Sequence, residues 1–167
     1  MKTWAGVLLS AVLMMSGCVA AGEDLGAGSG TSPGTSAATL DFTGETLDGS
    51  AYEGVQLAGK PAVLWFWAPW CPTCRAQAPH VETIAAQYAG QVNVVGVGGL
   101  SDAADIREIA RQVEGPTHLV DEEGTIWTHF AVTAQSTFVL LDAQGAVVSE
   151  GYLDNDVLSA RVAELVG

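Results

Sequence analysis

From residue 62 onward, apolar positions alternate between short unbroken runs and helical stripes. Ala62–Trp67 is apolar at every position, the pattern of a strand buried on both faces. Val81, Ile84, Ala85 and Tyr88 share one face of a helix that starts near Cys71 or Pro72 and stops at Gly90. Val92–Val97 is a β-branched run broken by Gly98-Gly99, and Ser101-Asp102 then opens a helix carrying Ile106, Ile109, Ala110 and Val113. Thr117–Val120 reads as a short strand, followed by the acidic loop 121–124 and a short helix with Trp127, with Phe130 and Val132 at the turn beyond. Thr137–Leu141 and Ala146–Ser149 flank the hairpin signal Asp142-Ala143-Gln144-Gly145. A last helix over Asp154–Leu165 is expected to bury Val157, Leu158, Val162 and Leu165. Strand and helix in this order predict an α/β domain, a mixed sheet with helices on both faces. Leu40, Phe42 and Leu47 alternate with polar residues before the turn at Asp48-Gly49, which predicts short extra strands in an N-terminal hairpin or cap.

The first residues follow another logic. Lys2 precedes an apolar stretch, Trp4–Met15, too short for an ordinary membrane span. Met15-Ser16-Gly17-Cys18 resembles a lipobox, so residues 1–17 are expected to be a lipoprotein signal peptide and Cys18 the lipidated first residue of the mature chain. If that signal is not used, simple secretion is the alternative. Gly22–Ala38, rich in Gly, Ser, Thr, Ala and Pro, predicts a flexible tether, so that residues 18–38 would join lipid to a folded domain over residues 39–167. Each version puts the domain outside the cytoplasm, where disulfides persist. About 150 residues then remain, enough for one domain with its own core.

Charge narrows the partners. There are 19 Asp and Glu against 6 Lys and Arg, and one of the six, Lys2, lies in the leader. This balance argues against nucleic acid and against an electrostatic hold on anionic lipid, so attachment would come through lipid on Cys18. The expected state is a monomer.

Cys71 and Cys74, in Trp70-Cys71-Pro72-Thr73-Cys74-Arg75, are the only cysteines besides Cys18. They stand where the buried strand gives way to a helix. A sulfur at a helix N-terminus is stabilised as thiolate, and thiolate is the attacking form. Pro72 suits the first helical position, since its missing N–H would have no partner there. Cys74, one turn on, can attack a mixed disulfide on Cys71 and release the partner. Cys71 is therefore expected to be the exposed nucleophile and Cys74 the more buried resolving thiol. A zinc site would need two more ligands, and His80, His118 and His129 have no ligand spacing. An inert structural disulfide remains the other reading of the pair. No metal or cofactor is called for.

The segment Trp65–Pro79, through Trp70-Cys71-Pro72-Thr73-Cys74 to Pro79, resembles the active-site segment of the extracytoplasmic thioredoxin-like TlpA/ResA/DsbE group, in its actinobacterial lipoprotein form. The resemblance spans roughly Thr39–Val166. It implies a thioredoxin-like fold and protein thiol–disulfide exchange, with Cys71 forming a mixed disulfide with an exported protein and Cys74 resolving it. By the same resemblance Trp70, Pro72 and Thr73 flank the substrate, and the loop Gln135-Ser136-Thr137 faces it. The family usually has a cis-proline in that loop, where this chain has Ser136, which leaves the bond geometry open. Family members also place an acid near the second cysteine, either in the preceding strand, here Trp65, or three residues after it, here Gln77. Neither residue titrates near neutrality. Glu45 or Glu53 from the N-terminal cap, or water, would then take the Cys74 proton.

Four functions follow from this pattern. The first is an oxidoreductase for exported proteins that favours disulfide formation. The others are a reductant of exported proteins such as apocytochrome c, fed by a membrane redox partner; a thiol peroxidase; and a non-enzymatic binding lipoprotein. Peroxidase chemistry fits poorly, because a resolving thiol lies two residues away and no arginine precedes Arg75.

Overall fold

The computed structural model describes residues 33–167. Signal segment and Cys18 lie outside the described residues. Pro33–Thr39 forms a helix, α1, inside the stretch whose composition predicted a tether, and its Ser36 is buried. The hairpin of β1 (Thr43–Glu45) and β2 (Ala51–Glu53) then forms as expected, followed by a 3₁₀ turn over Gly54–Leu57.

The main sheet has five strands in the order β5-β4-β3-β6-β7. Its centre is β3, Ala62–Trp67, all six residues of which are buried. It runs parallel to β4 (Asn93–Gly98) and antiparallel to β6 (Thr137–Leu141). Beyond them lie β5 (Thr117–Val120), parallel to β4, and β7 (Val147–Gly151), antiparallel to β6. Parallel neighbours need crossover helices. These are α2 (Pro72–Gln87) and α3 (Ala103–Ala110). α4 (Thr125–His129) leads into β6, and α5 (Asn155–Val166) closes the chain. This is a thioredoxin-like α/β fold with an added N-terminal hairpin.

Period-two alternation on β3 divides the core. Val63, Trp65 and Trp67 join Phe138, Leu140 and residues of α2, α3 and α5 on one face. Leu64 and Phe66 join Phe42, Tyr52, Trp127 and Phe130 on the other, beneath the cap and α4. Fully burying one such side chain contributes about 1.5–3 kcal/mol, so the two faces hold β3 rigidly below the dithiol. In α5, Leu158 and Val162 point inward, whereas Val157 is exposed. The apolar stripe predicts a buried Val157, but the residue lies in the solvent-facing first turn, where its N–H donates to the capping carboxylate of Asp154.

On β4, Gly96 and Gly98 face Trp67. A Cβ on Gly98 would lie 2.5 Å from Ile106 Cγ2 and 2.9 Å from Trp67 Cζ2. Gly98→Ala should therefore destabilise the domain by about 1–3 kcal/mol through overpacking, read by urea denaturation. A loss below about 0.5 kcal/mol would show that the indole yields freely.

Candidate active site

Cys71 is the N-cap of α2, and Pro72 takes the first helical position. The Cys74 N–H donates to Cys71 Sγ at 3.1 Å, so the helix N-terminus is directed at that sulfur. The two cysteines form a disulfide across a Cα–Cα distance of 5.3 Å, within the range a disulfide can span. Cys71 is 4% exposed and Cys74 1%. Cys71 is thus the more accessible of the two, but in the oxidised state it is not the exposed sulfur expected from sequence. Pro72 and Thr73 are exposed beside it.

Trp70 is 52% exposed, and its indole N–H donates to the Leu100 carbonyl at 2.9 Å. Leu100 is itself half exposed and has φ +56°, a conformation that L residues other than Asn and Asp seldom adopt. Nothing in Gly98-Gly99-Leu100-Ser101 singles out Leu100. Arg75 is exposed and directs Nε and Nη2 to the Pro69 carbonyl at 3.1 and 2.7 Å. It braces the loop that carries Trp70.

Ahead of β6, the Gln135–Ser136 bond is cis. Ser136 is buried, and its Oγ accepts from Trp65 Nε1 at 2.8 Å. Trp65 belongs to the same core cluster as both cysteines. Its side chain therefore ties the Ser136 loop to the strand beneath them. Gln135 and Thr137 are half-buried.

Glu45 and Glu53 do not serve Cys74. Their hairpin joins the sheet at β5, two strands from β3, and Glu45 is paired with Arg107. Of the carboxylates, Glu82 shares a cavity with Cys74. That cavity, about 340 Å³ between α2 and α3, is lined by Trp65, Trp67, Cys74, Arg75 and Glu82. Glu82 also accepts the Glu114 N–H at 2.7 Å. Sequence reasoning missed it because Glu82 is eight residues beyond Cys74.

In the acidic loop, Asp121 has a structural role. Asp121 is 3% exposed and accepts four hydrogen bonds from the start of α4. Among the described residues, no group of three or more His, Cys, Asp or Glu is placed to hold a metal.

His118, on β5, is buried edge-on to Trp67, and its Nε2 meets the Val113 carbonyl at 3.0 Å. Burial holds its pKa below the ordinary value, partly offset by that hydrogen bond and the nearby Glu82 charge. The folded state thus resists a proton that the unfolded chain accepts below about pH 6.5. This contribution to stability is complete above that pH and is lost as pH falls through the folded pKa. Melting curves between pH 7.5 and 5 should therefore drop more steeply for the wild type than for His118→Gln. Parallel curves would show that His118 is not the titrating group.

A disulfide at the start of the helix that follows the central strand of a thioredoxin-like fold defines a thiol–disulfide oxidoreductase. Residues 33–164 match the Redoxin family, and the chain belongs to it. It is 38% identical over 131 residues to the soluble secreted antigen MPT53 of Mycobacterium tuberculosis, covering 75% of each chain. The structure of MTB dsbF, in mixed oxidised and reduced forms, superposes with a TM-score of 0.72 at 42% identity, covering 77% of this chain and 97% of that one. A secreted Mycobacterium tuberculosis disulfide oxidoreductase homologous to E. coli DsbE gives a TM-score of 0.69 at 38% identity, covering 76% and 98%. These relationships make the chain a DsbE/MPT53-type enzyme that belongs outside the cytoplasm.

Proposed function

We propose that the protein exchanges its Cys71–Cys74 disulfide with exported proteins, in the direction of disulfide formation. The observation that carries this reading is the disulfide itself at the α2 N-terminus, with the helix N–H of Cys74 on Cys71 Sγ. A helix N-terminus favours the Cys71 thiolate and so shifts the pair toward its reduced form, the direction that an oxidant needs. The steps balance. A substrate thiolate attacks Cys71 Sγ, the Cys71–Cys74 bond breaks, and Cys74 leaves as thiolate. A second substrate thiolate then attacks the mixed disulfide and releases Cys71. The substrate loses two electrons and the protein gains them, so repeated turnover calls for a membrane redox partner that accepts them.

In this reading Trp70, Pro72 and Thr73 border the attacked sulfur, and the loop of Gln135, Ser136 and Thr137 lies along the substrate. Ser136 is buried with its Oγ accepting from Trp65 Nε1, so its contact would come through the backbone. Lipid on Cys18 would hold the domain at the outer face of the cell membrane. Mass spectrometry of the membrane fraction should find diacylglyceryl on Cys18, and an unmodified, soluble mature chain would replace anchoring with secretion.

Equilibration with glutathione tests the direction. A potential near about −120 mV supports the oxidant, whereas about −270 mV or lower overturns it in favour of a reductant.

A further inference from the structure

We propose that Glu82 is the remote acceptor of the Cys74 proton, reached through water held in the cavity between α2 and α3. The inference rests on the oxidoreductase reading above and concerns the step in which Cys74 closes the disulfide. That step recurs whichever way electrons flow. The Cys74 thiol loses its proton, its sulfur attacks Cys71 Sγ in a mixed disulfide, and the partner leaves as thiolate with the electron pair of the broken bond. Thiolate is the attacking form, and burial favours the thiol. Cys74 is 1% exposed, so its proton needs an internal way out.

The spacing of α2 supplies that way out. Cys74, Ala78 and Glu82 are four residues apart, so they form one row along a single face of the helix. All three line the cavity of about 340 Å³, and Glu82 is the one carboxylate in its lining. Ala78, with nothing beyond Cβ, keeps the middle of the row open. Eight residues of helix span about 12 Å, and a glutamate side chain leans back toward the N-terminus over only part of that length. The gap between carboxylate and sulfur is therefore one for water rather than direct contact. A water molecule takes about 30 Å³ in the liquid, so the cavity has room for a short chain of them. Arg75 and Pro79 line the same cavity, and Pro79 has no N–H to compete with water for the Arg75 carbonyl.

The carboxylate is also held in place. Glu82 Oε1 accepts the Glu114 N–H at 2.7 Å, which ties it to the segment after α3, and Oε2 has no hydrogen-bond partner among the described residues. Few charged or titratable groups surround it. From α2 comes Arg75, a donor whose guanidinium takes up no further proton. From β5 comes His118, which feels the Glu82 charge but stands edge-on to Trp67 and off the cavity wall. β3 presents only indoles, and the α3 side presents Ile109, Gln112 and Val113, none of which titrates. Of the groups lining the cavity, Glu82 alone can take the proton near neutrality.

The test follows the two half-steps in the full chain, reduced, with Cys18→Ser throughout so that only the dithiol reacts. Excess dithiobis-nitrobenzoate releases one coloured thiolate when Cys71 attacks it and a second when Cys74 resolves the adduct. The first release reports the folding and reactivity of each variant; the second, independent of reagent concentration, contains proton loss from Cys74. In the parent chain the second rate should change less than about threefold between about pH 6 and 8. Glu82→Gln keeps an oxygen for the Glu114 N–H but accepts no proton. Its second rate should be roughly tenfold or more lower at about pH 6 and should climb with pH toward the parent rate. Glu82→Asp should restore the flat profile in part, and formate should rescue Glu82→Ala where chloride does not. His118→Gln and Glu108→Gln, which removes a charge from the exposed side of α3, should keep the parent profile. Superposed profiles for the parent and Glu82→Gln would overturn the assignment. So would a slowing of unchanged pH shape without formate rescue, which makes Glu82 structural, or an equal change in Glu108→Gln, which makes the effect one of net charge. A profile altered in His118→Gln but not in Glu82→Gln would pass the role to His118. Failure of the parent chain to release the second thiolate at any pH would instead overturn the oxidoreductase reading.

Discussion

Replacing Cys74 by serine is expected to leave the protein covalently attached to its substrates. The variant still presents Cys71 at the N-terminus of α2, where the helix N–H groups stabilise a thiolate. Its thiolate can attack a substrate disulfide and expel one substrate sulfur as thiolate, but no second thiol stands one turn along the helix to resolve the mixed disulfide that results. Non-reducing electrophoresis of the extracytoplasmic fraction should show adducts that dithiothreitol dissolves. Cys71→Ser should show none. Catalytic turnover should fall on the order of 10³-fold or more in both variants, because the two sulfurs act as a unit. Trapping through Cys71 but not through Cys74 would assign the roles, and trapping through Cys74 alone would reverse them. Biological function retained in both variants, with no adducts in either, would point to a binding lipoprotein whose disulfide is inert.

The dithiol was legible in the sequence because its chemistry is local. Strand, turn, cysteine pair and helix follow one another within Ala62–Gln87, so spacing alone places the sulfurs at the helix start. The two faces of β3 were legible for the same reason, since period two fixes which tryptophans share a side. What escaped was set by distant partners. Nothing near Leu100 announces that it will accept from Trp70, and nothing near Gln77 announces the Leu153 carbonyl. Glu45 was a reasonable acid by type, but sheet topology carries it to the β5 edge and into a pair with Arg107. Val157 fits the apolar stripe of its helix yet falls in the first turn, where the capping Asp154 and solvent prevail.

Asp121 shows most sharply how tertiary context overrides composition, and its removal should cost the most stability of any single charge. In sequence, Asp121-Glu122-Glu123-Gly124 reads as a solvated acidic turn. In the fold the three acids part: Glu122 and Glu123 are exposed, while Asp121 is buried beside the end of β5. Its Oδ1 accepts the Thr125 N–H at 2.8 Å and the Thr125 hydroxyl at 3.0 Å. Its Oδ2 accepts the Ile126 and Trp127 N–H groups at 3.0 and 2.9 Å. One carboxylate thus satisfies the free donors of α4, a helix too short to form without such support. α4 in turn places Trp127 against Phe66 on the second core face and leads into the Ser136 loop. Asp121→Ala would leave buried N–H groups unpaired, at an expected cost of about 3 kcal/mol or more. Asp121→Asn, which keeps one acceptor oxygen, should lose less. Chemical denaturation of both variants measures the difference, with Glu122→Ala expected within about 0.5 kcal/mol of wild type. Equal effects at positions 121 and 122 would mean that the carboxylate is not holding α4.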